Sequence, residues 1–273
     1  MPALMSPDDY SHLPEIAGNH RIAYGMLEEQ FGELFLPTQF NAPLPVAILL
    51  HGGCWRARFG LAPLGQIARR LANRGIAVWN LEYRRLEGGG GWPYTFQDTA
   101  AGADFVRTLA EDFSLDLERV IAIGHSAGGH LACWLAQRHL LTPDMTLYQD
   151  NPIPLKGVVS LAGIPDLEKA SVAGICAGAP AELMGGTLTT VPERYKEGSP
   201  HAGPALKVRQ WHVVGSDDAL VPADYVRASV DFARGRGESV DLVTVPDAGH
   251  FEIVTAASSA WPQVERAIEA AIA

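Results

Sequence analysis

One pentapeptide constrains the fold of this chain more than any other feature. Gly124-His125-Ser126-Ala127-Gly128 follows an apolar, strand-like run at residues 120–123 and precedes apolar residues at helical spacing. A serine between flanking glycines at a strand-to-helix junction is typical of a nucleophile elbow, a strained turn that lifts one side chain above a parallel sheet. With 28 glycines among 273 residues, the pentapeptide alone arises by composition in roughly one chain in eight. The strand-like segment before the pentapeptide and the helix-like segment after it favour the elbow interpretation. Ser126 is therefore the candidate nucleophile.

The composition fits one domain with a large buried core. The 273 residues are 47% hydrophobic and 19% charged. The formal net charge is −10, from 21 basic and 31 acidic side chains, and the basic residues form no cluster. These features argue against nucleic acid or an anionic membrane as a partner. We therefore expect a small-molecule substrate, and a homodimer stays an open alternative.

The N-terminus and the cysteines bear on the location of the protein. The first twenty residues contain no apolar stretch, and the longest aliphatic run, residues 46–50, is far too short to span a bilayer. We expect a cytoplasmic protein on this basis. Cys54, Cys133 and Cys176 form neither a CxxC pair nor a Cys/His cluster. The sequence thus indicates neither a disulfide framework nor a zinc site, and we expect no metal or other cofactor.

Strand-like and helix-like segments alternate along the chain. Seven segments, several of them continuous apolar runs, are typical of strands: residues 31–36, 45–50, 76–83, 120–124, 157–161, 208–214 and 240–245. Helices are expected between and after them: residues 61–73, 96–112, 129–140, 223–235 and 258–273. The alternation predicts a single α/β domain, residues 1–273, with a mostly parallel central sheet flanked by helices.

Two segments depart from this alternation. The strand at residues 31–36 lies before the alternation begins and is expected to add antiparallel at one edge of the sheet. Residues 164–206 are rich in glycine, alanine and proline and lack a clear strand. We expect these residues to form a short cap insertion over the site.

A glycine pair follows the strand at residues 45–50. The sequence His51-Gly52-Gly53-Cys54-Trp55 allows backbone amides to turn towards a developing negative charge, as in the oxyanion loops of lipases and esterases. A tight turn after a buried strand would explain this loop if it stood alone. Beside a nucleophile elbow the oxyanion interpretation is favoured. We assign the amides of Gly53, Cys54 and Ala127 as oxyanion donors.

A catalytic acid and base are expected after the last two strands. Residues 215–222 contain two adjacent carboxylates, and only Asp218 stands four positions ahead of the proline, as in the acid loop of many α/β-hydrolases. Asp217 would then cap a helix or face solvent. His250, in the loop after the last strand, is the candidate base. The order Ser126, Asp218, His250 is the order of the α/β-hydrolase triad.

These motifs resemble the α/β-hydrolase superfamily and, within it, the kynurenine formamidase (arylformamidase) group and related carboxylesterases. The resemblance rests on four segments: residues 51–55, 124–131, 215–222 and 250–254. It implies the α/β-hydrolase fold and a metal-free serine hydrolase that cleaves a small ester or an aryl formamide through an acyl-enzyme. Glu252 stands where the group has aspartate, so the role of its carboxylate is open.

Two other functions are compatible with the same fold. A general carboxylesterase acting on short-chain or aryl esters shares every catalytic part with a formamidase, and the sequence does not decide between them. A non-catalytic α/β-hydrolase that serves as a binding module usually lacks the nucleophile or the base. All three candidate catalytic residues are present here, which disfavours that alternative.

Aromatic and basic residues near the motifs are candidates for substrate binding. Four aromatic residues on adjacent loops are expected to line a confined pocket, although such residues are as often plain core: Trp55, Trp92, Tyr94 and Phe251. Arg56 and Arg58 follow the oxyanion loop. They are either ligands for a substrate carboxylate or ordinary surface residues.

Overall fold

A central β-sheet organises the fold of the protein. The computed structural model describes residues 4–40 and 43–273. These residues contain eight strands: β1 (His20–Ala23), β2 (Phe31–Phe35), β3 (Leu44–Leu50), β4 (Ala77–Leu81), β5 (Leu115–His125), β6 (Gly157–Leu161), β7 (Arg209–Gly215) and β8 (Val240–Val245). The spatial order is β1-β2-β4-β3-β5-β6-β7-β8. Neighbours from β4 to β8 are parallel, whereas the pairs β1–β2 and β2–β4 are antiparallel.

Helices pack on the sheet and follow the strands in the chain. The described residues contain ten α-helices: α1 (Pro7–Ser11), α2 (Gly65–Ala72), α3 (Tyr94–Asp104), α4 (Val106–Asp112), α5 (Ala127–Gln137), α6 (Leu167–Val172), α7 (Ala179–Met184), α8 (Pro192–Gly198), α9 (Ala223–Gly235) and α10 (Trp261–Ile272). Helix α5 contacts β5 and β6, and α9 contacts β7 and β8. None of these helices is long and apolar enough to cross a bilayer. The predicted mostly parallel sheet flanked by helices is confirmed.

The central strands are buried on both faces because helices cover them. Every residue of β4 and β6 is buried, which accounts for their nearly continuous apolar sequences. The helices are amphipathic in turn: α2 buries Ile67 and Leu71 against the sheet and exposes Arg70. This arrangement fixes the carboxyl ends of the parallel strands at one edge, where the motif-bearing loops begin.

The structure corrects the expected edge of the sheet. Strand β2 is antiparallel as expected, but β1 pairs outside it, so β2 is the second strand and not the edge. Strand β1 escaped detection because three of its four residues are exposed and it has no apolar alternation. Residues 164–206 hold the short helices α6, α7 and α8 and no strand.

Candidate active site

The turn after β5 holds Ser126 in a strained backbone conformation. Its φ and ψ angles are 54° and −117°, a combination that residues with a side chain rarely adopt. The flanking glycines permit the turn: a Cβ on Gly124 would lie 2.0 Å from the carbonyl oxygen of Gly128. A Cβ on Gly128 would lie 2.2 Å from the carbonyl oxygen of Leu50. The elbow predicted from the sequence is therefore present as a tightly packed strand-turn-helix unit.

Ser126 borders a cavity of about 620 Å³ at the carboxyl edge of the sheet. The loops after β3, β5, β7 and β8 all contribute to its lining, and so does residue range 174–177 of the 164–206 segment. Parallel neighbours end at the same edge, so motifs that are far apart in the sequence meet here. Ser126 and His250 both line this cavity.

The carboxylate of Asp218 is fixed by three contacts. Its Oδ1 accepts hydrogen bonds from the amides of Leu220, at 2.9 Å, and Val221, at 2.8 Å. Its Oδ2 lies 2.7 Å from Nδ1 of His250, and the side chains of both residues are buried. Asp217 is exposed. The structure thus pairs His250 with Asp218, the carboxylate that the spacing favoured.

The side chain of Ser126 is open to the cavity. Among the described residues, no hydrogen bond joins its hydroxyl to the His250 ring, whose Nδ1 is engaged with Asp218. Catalytic hydrogen bonds are often long in unliganded enzymes and shorten when substrate binds. The placement leaves Nε2 of His250 as the ring atom available to the serine and to a substrate.

The candidate oxyanion loop, residues 51–55, has an unusual backbone conformation and unpaired amides. Gly53, Cys54 and Trp55 all have positive φ, at 103°, 52° and 55°. Within the described part of the chain, the amides of Gly53, Cys54 and Ala127 donate to no acceptor. Gly53 and Cys54 line the cavity, and the three unpaired amides are free to donate hydrogen bonds to a substrate oxygen.

A buried network anchors the first residue of this loop. Nδ1 of His51 lies 2.8 Å from the carbonyl oxygen of Gly52, and Nε2 lies 2.8 Å from Oε1 of Glu82. Both ring nitrogens of His51 thus lie within hydrogen-bond distance of an oxygen atom. Burial raises the pKa of Glu82, but the charge and hydrogen bond of His51, together with Arg85, outweigh it and hold that pKa below its usual range. The hydroxyl of Tyr83 donates to the His51 carbonyl at 2.7 Å.

Three of the four expected pocket aromatics lie elsewhere. Trp55 is completely buried in the core, Trp92 packs edge-on against Phe96 with ring centroids 5.6 Å apart, and Tyr94 is 48% exposed on the surface. Only Phe251 of the four lines the cavity. No sequence pattern distinguishes these three residues from Phe251.

Arg56 and Arg58 lie in different surroundings. Arg56 forms ion pairs with Glu182, at 2.5 Å, and Glu87, at 2.9 Å. Arg58 lines the cavity, and its guanidinium carbon lies 4.4 Å from the centroid of the Phe59 ring. It makes no ion pair with a described residue. Arg58 is therefore the arginine that remains available to a ligand.

A disulfide bond corrects the expectation drawn from the cysteines. Cys54 and Cys176 are bonded, with their Cα atoms 5.4 Å apart, whereas Cys133 is free and buried. The two bonded residues are 122 positions apart, so no local spacing could reveal the pair. Both line the cavity, and the bond attaches the oxyanion loop to the 164–206 segment.

The N-terminal residues are the part of the site that no sequence pattern indicated. Five of them line the cavity: Pro7, Tyr10, Ser11, Leu13 and Glu15. Glu252, whose role was open, accepts hydrogen bonds from the amides of Met5 and Gly249. It therefore connects the N-terminal residues to the loop that carries His250.

Comparisons with known proteins agree with this fold. A model of the BD-FAE family matches residues 33–228. Esterase LipC from Mycobacterium tuberculosis is 26% identical, over 90% of this chain and 67% of LipC. Kynurenine formamidase from Salmo salar is 24% identical, over 85% of this chain and 74% of that protein. Isoprenylcysteine methylesterases of rice and Arabidopsis also match, but this chain spans only 23–28% of their length.

A solved structure gives the same result for the fold. Esterase B from Lactobacillus rhamnosis, inhibited by a tributyrin phosphonate, superimposes with a TM-score of 0.78. The alignment is 19% identical and covers 96% of this chain and 87% of that chain. The predicted α/β-hydrolase fold is confirmed. Together the comparisons support an esterase-like hydrolase and identify neither its substrate nor its nucleophile.

Proposed function

Because the chain belongs to the BD-FAE family, we propose that it is a serine hydrolase that cleaves small esters or aryl formamides through an acyl-enzyme. One observation carries the proposal: a strained serine at a nucleophile elbow shares a cavity with a histidine whose second ring nitrogen is fixed by a buried carboxylate. A catalytic triad is identified by the relative positions and the chemical roles of its residues, which here are Ser126, His250 and Asp218.

The chemistry follows from the positions of these side chains. Nε2 of His250 takes the proton of the Ser126 hydroxyl as its oxygen attacks the carbonyl carbon of the substrate, and a tetrahedral oxyanion forms. The amides of Gly53, Cys54 and Ala127 donate to that oxyanion. When the intermediate collapses, the bond to the alcohol or amine breaks and His250 returns the proton to the leaving group. Asp218 holds the ring in one tautomer and stabilises the imidazolium.

Water completes the cycle in the same way. It enters the cavity after the leaving group departs, loses a proton to His250, and attacks the acyl carbon. The second tetrahedral intermediate expels the Ser126 oxygen, which regains its proton from His250. The products are a carboxylic acid, or formate from a formamide, and the unchanged enzyme.

Two substrate classes are compatible with this mechanism. Kynurenine formamidase is among the relatives, and the unpaired Arg58 at the cavity offers a partner for the carboxylate of an amino-acid substrate. A carboxylesterase is favoured by the match to LipC, which covers 90% of this chain. We place the aryl formamide first and the short-chain or aryl ester second, and expect both to be hydrolysed.

Partners and location stay predictions. The net charge of −10 favours a small-molecule substrate over nucleic acid or a membrane. A cytoplasmic protein would be kept reduced, whereas disulfides persist mainly in oxidising compartments, so the Cys54–Cys176 bond weighs against that location. Alkylation of free thiols in protein isolated directly from its native cells separates the two: one reactive cysteine after unfolding indicates the bonded form, and three indicate the reduced form.

The function is tested by comparing kcat/KM for N-formylkynurenine, p-nitrophenyl acetate and p-nitrophenyl butyrate on one preparation. Ser126→Ala should lower kcat/KM for each substrate at least a thousandfold, because alanine is small enough to retain the turn but lacks the nucleophilic hydroxyl. A fluorophosphonate should react with Ser126 of the wild type, and the phosphonyl group that remains after fluoride leaves should be detected as added mass. The exposed Ser114 provides the matched control, Ser114→Ala. Residual activity within tenfold of the wild type, or labelling at another residue, would overturn the assignment.

A further inference from the structure

The N-terminal residues 5–15 are docked against the loop that carries His250. The Met5 amide donates to Oε1 of Glu252, and Oε2 of the same carboxylate accepts from the Gly249 amide at 2.9 Å. Helix α1 then begins with a capping box, in which the Ser6 hydroxyl accepts from the Asp9 amide at 3.1 Å. These contacts give the segment a defined position beside the catalytic histidine.

Tyr10 is the aromatic residue of this segment that lines the cavity. Its ring is stacked on that of Phe251, with centroids 4.7 Å apart and planes inclined by 22°. The ring centroid of His125, which precedes the nucleophile, lies 6.1 Å away. Burial raises the pKa of the Tyr10 phenol, so the ring is neutral. Tyr10 and Phe251 together form an aromatic wall, and both line the cavity.

The positions of Tyr10 and Phe251 beside His250 indicate which part of a substrate they contact. Nε2 of His250 must reach the leaving oxygen or nitrogen in order to protonate it, so the leaving group lies on the His250 side of the scissile bond. Phe251 is the next residue, its ring centroid lies 5.1 Å from that of His250, and Tyr10 extends its surface. The acyl group occupies the other side of the scissile bond. The matched region of the family model begins at residue 33, so Tyr10 lies outside it.

We propose that Tyr10 and Phe251 form a subsite for an aromatic leaving group, a phenol or an aniline. The inference rests on the proposed function and makes it narrower, since it selects aryl esters and aryl amides over alkyl esters. Two offset aromatic rings stabilise one another beyond the area that they bury, by an amount equivalent to about two- to tenfold in kcat/KM. Tyr10 is thus a specificity-determining residue supplied by the N-terminal segment.

The test holds the acyl group constant and changes the leaving group. We compare kcat/KM for phenyl acetate and for trifluoroethyl acetate, an activated alkyl ester, in the wild type and in each variant. The intrinsic reactivity of each ester cancels when the ratio of the two values is compared between proteins. Tyr10→Leu should lower the phenyl-to-alkyl ratio by about two- to tenfold, and Tyr10→Phe should retain it. The matched control is His12→Ala, at an exposed position next to the same helix that does not line the cavity.

Each outcome has a definite meaning. An equal loss for both esters would show that Tyr10 only supports the His250 loop through Phe251, and it would overturn the subsite, as would an unchanged ratio in Tyr10→Leu. A change confined to the ratio of p-nitrophenyl butyrate to p-nitrophenyl acetate would place Tyr10 on the acyl side and would also overturn it. Failure of the proposed function looks different, because the wild type would then hydrolyse neither acetate or would keep its activity in Ser126→Ala. Thermal unfolding of each variant verifies that it is folded.

Discussion

Cys54 and Cys176 are covalently bonded across the cavity that contains Ser126. Cys54 supplies a proposed oxyanion donor, and Cys176 belongs to the part of the 164–206 segment that lines the cavity. The backbone at both cysteines has positive φ, 52° and 61°, a conformation that a residue with a side chain adopts only when its surroundings enforce it. The bond therefore fixes the backbone at Cys54 and the backbone at Cys176 relative to one another.

Reduction of this bond should lower both stability and rate. The crosslink closes a separation of 122 residues, so we expect Cys176→Ser to lower the free energy of unfolding by about 2–4 kcal/mol. We expect kcat for p-nitrophenyl acetate to fall by about tenfold, because the freed loop presents the Cys54 amide less well. A phosphine reductant should reproduce both effects in the wild type and leave Cys176→Ser unchanged. Wild-type protein with alkylated Cys54 and Cys176 but full activity would contradict this expectation.

Substitution distinguishes Asp218, the proposed acid of the triad, from its neighbour Asp217. Asp218→Asn removes the charge that pairs with His250 at 2.7 Å and favours the wrong imidazole tautomer. We expect kcat to fall by about 10³- to 10⁴-fold, whereas Asp217→Asn, at an exposed position, should leave kcat within about twofold. Steady-state kinetics of both variants with p-nitrophenyl acetate measure this. The opposite pattern would assign the acid to Asp217.

The site residues that lie in loops after strands could be predicted from the sequence, because the local pattern of apolar residues indicates where each strand lies. Ser126, Asp218 and His250 lie in the loops that follow β5, β7 and β8, and a parallel sheet brings these loops to one edge. Contacts between distant segments have no such signature. The bond from Cys54 to Cys176 and the stacking of Tyr10 on Phe251 depend on where the 164–206 segment and the N-terminal helix α1 dock. Trp92 packs against Phe96 and Tyr94 is exposed, so neither lines the cavity, and no sequence pattern indicates this.

Arg58 should distinguish substrates that carry a carboxylate. Its guanidinium borders the cavity without an ion pair to a described residue, although Glu15 lines the same cavity. Because Arg58 is exposed, an ion pair with substrate contributes only about 0.2–1 kcal/mol, so Arg58→Gln should raise KM for 4-acetoxybenzoate by up to about fivefold. KM for phenyl acetate should not change. Arg56→Gln is the matched control, since Arg56 is already paired with Glu182. Equal changes for both esters would remove the carboxylate role.

The buried His130 should make stability depend on pH. Its Nε2 lies 2.7 Å from the Gly198 carbonyl oxygen, and its side chain is completely buried on α5. Burial lowers the pKa of His130 to about 4 from an ordinary value of 6.5. Between these values the unfolded chain binds a proton at this position that the folded protein does not. The free energy of unfolding therefore falls as the pH drops from about 6.5 to about 4, and His130 contributes about 3 kcal/mol of that loss.

The substitution His130→Gln tests this contribution, because glutamine retains an N–H donor for the Gly198 carbonyl but does not titrate. Chemical denaturation at pH 7, 5.5 and 4 should give a smaller loss of stability in His130→Gln than in the wild type, by about 3 kcal/mol over the full range. Burial also lowers the pKa values of His125 and His212, so part of the pH dependence should persist in the variant. The exposed His12 gives the control His12→Gln, whose curve should follow that of the wild type. Parallel curves for the wild type and His130→Gln would mean that His130 does not titrate differently in the folded and unfolded states.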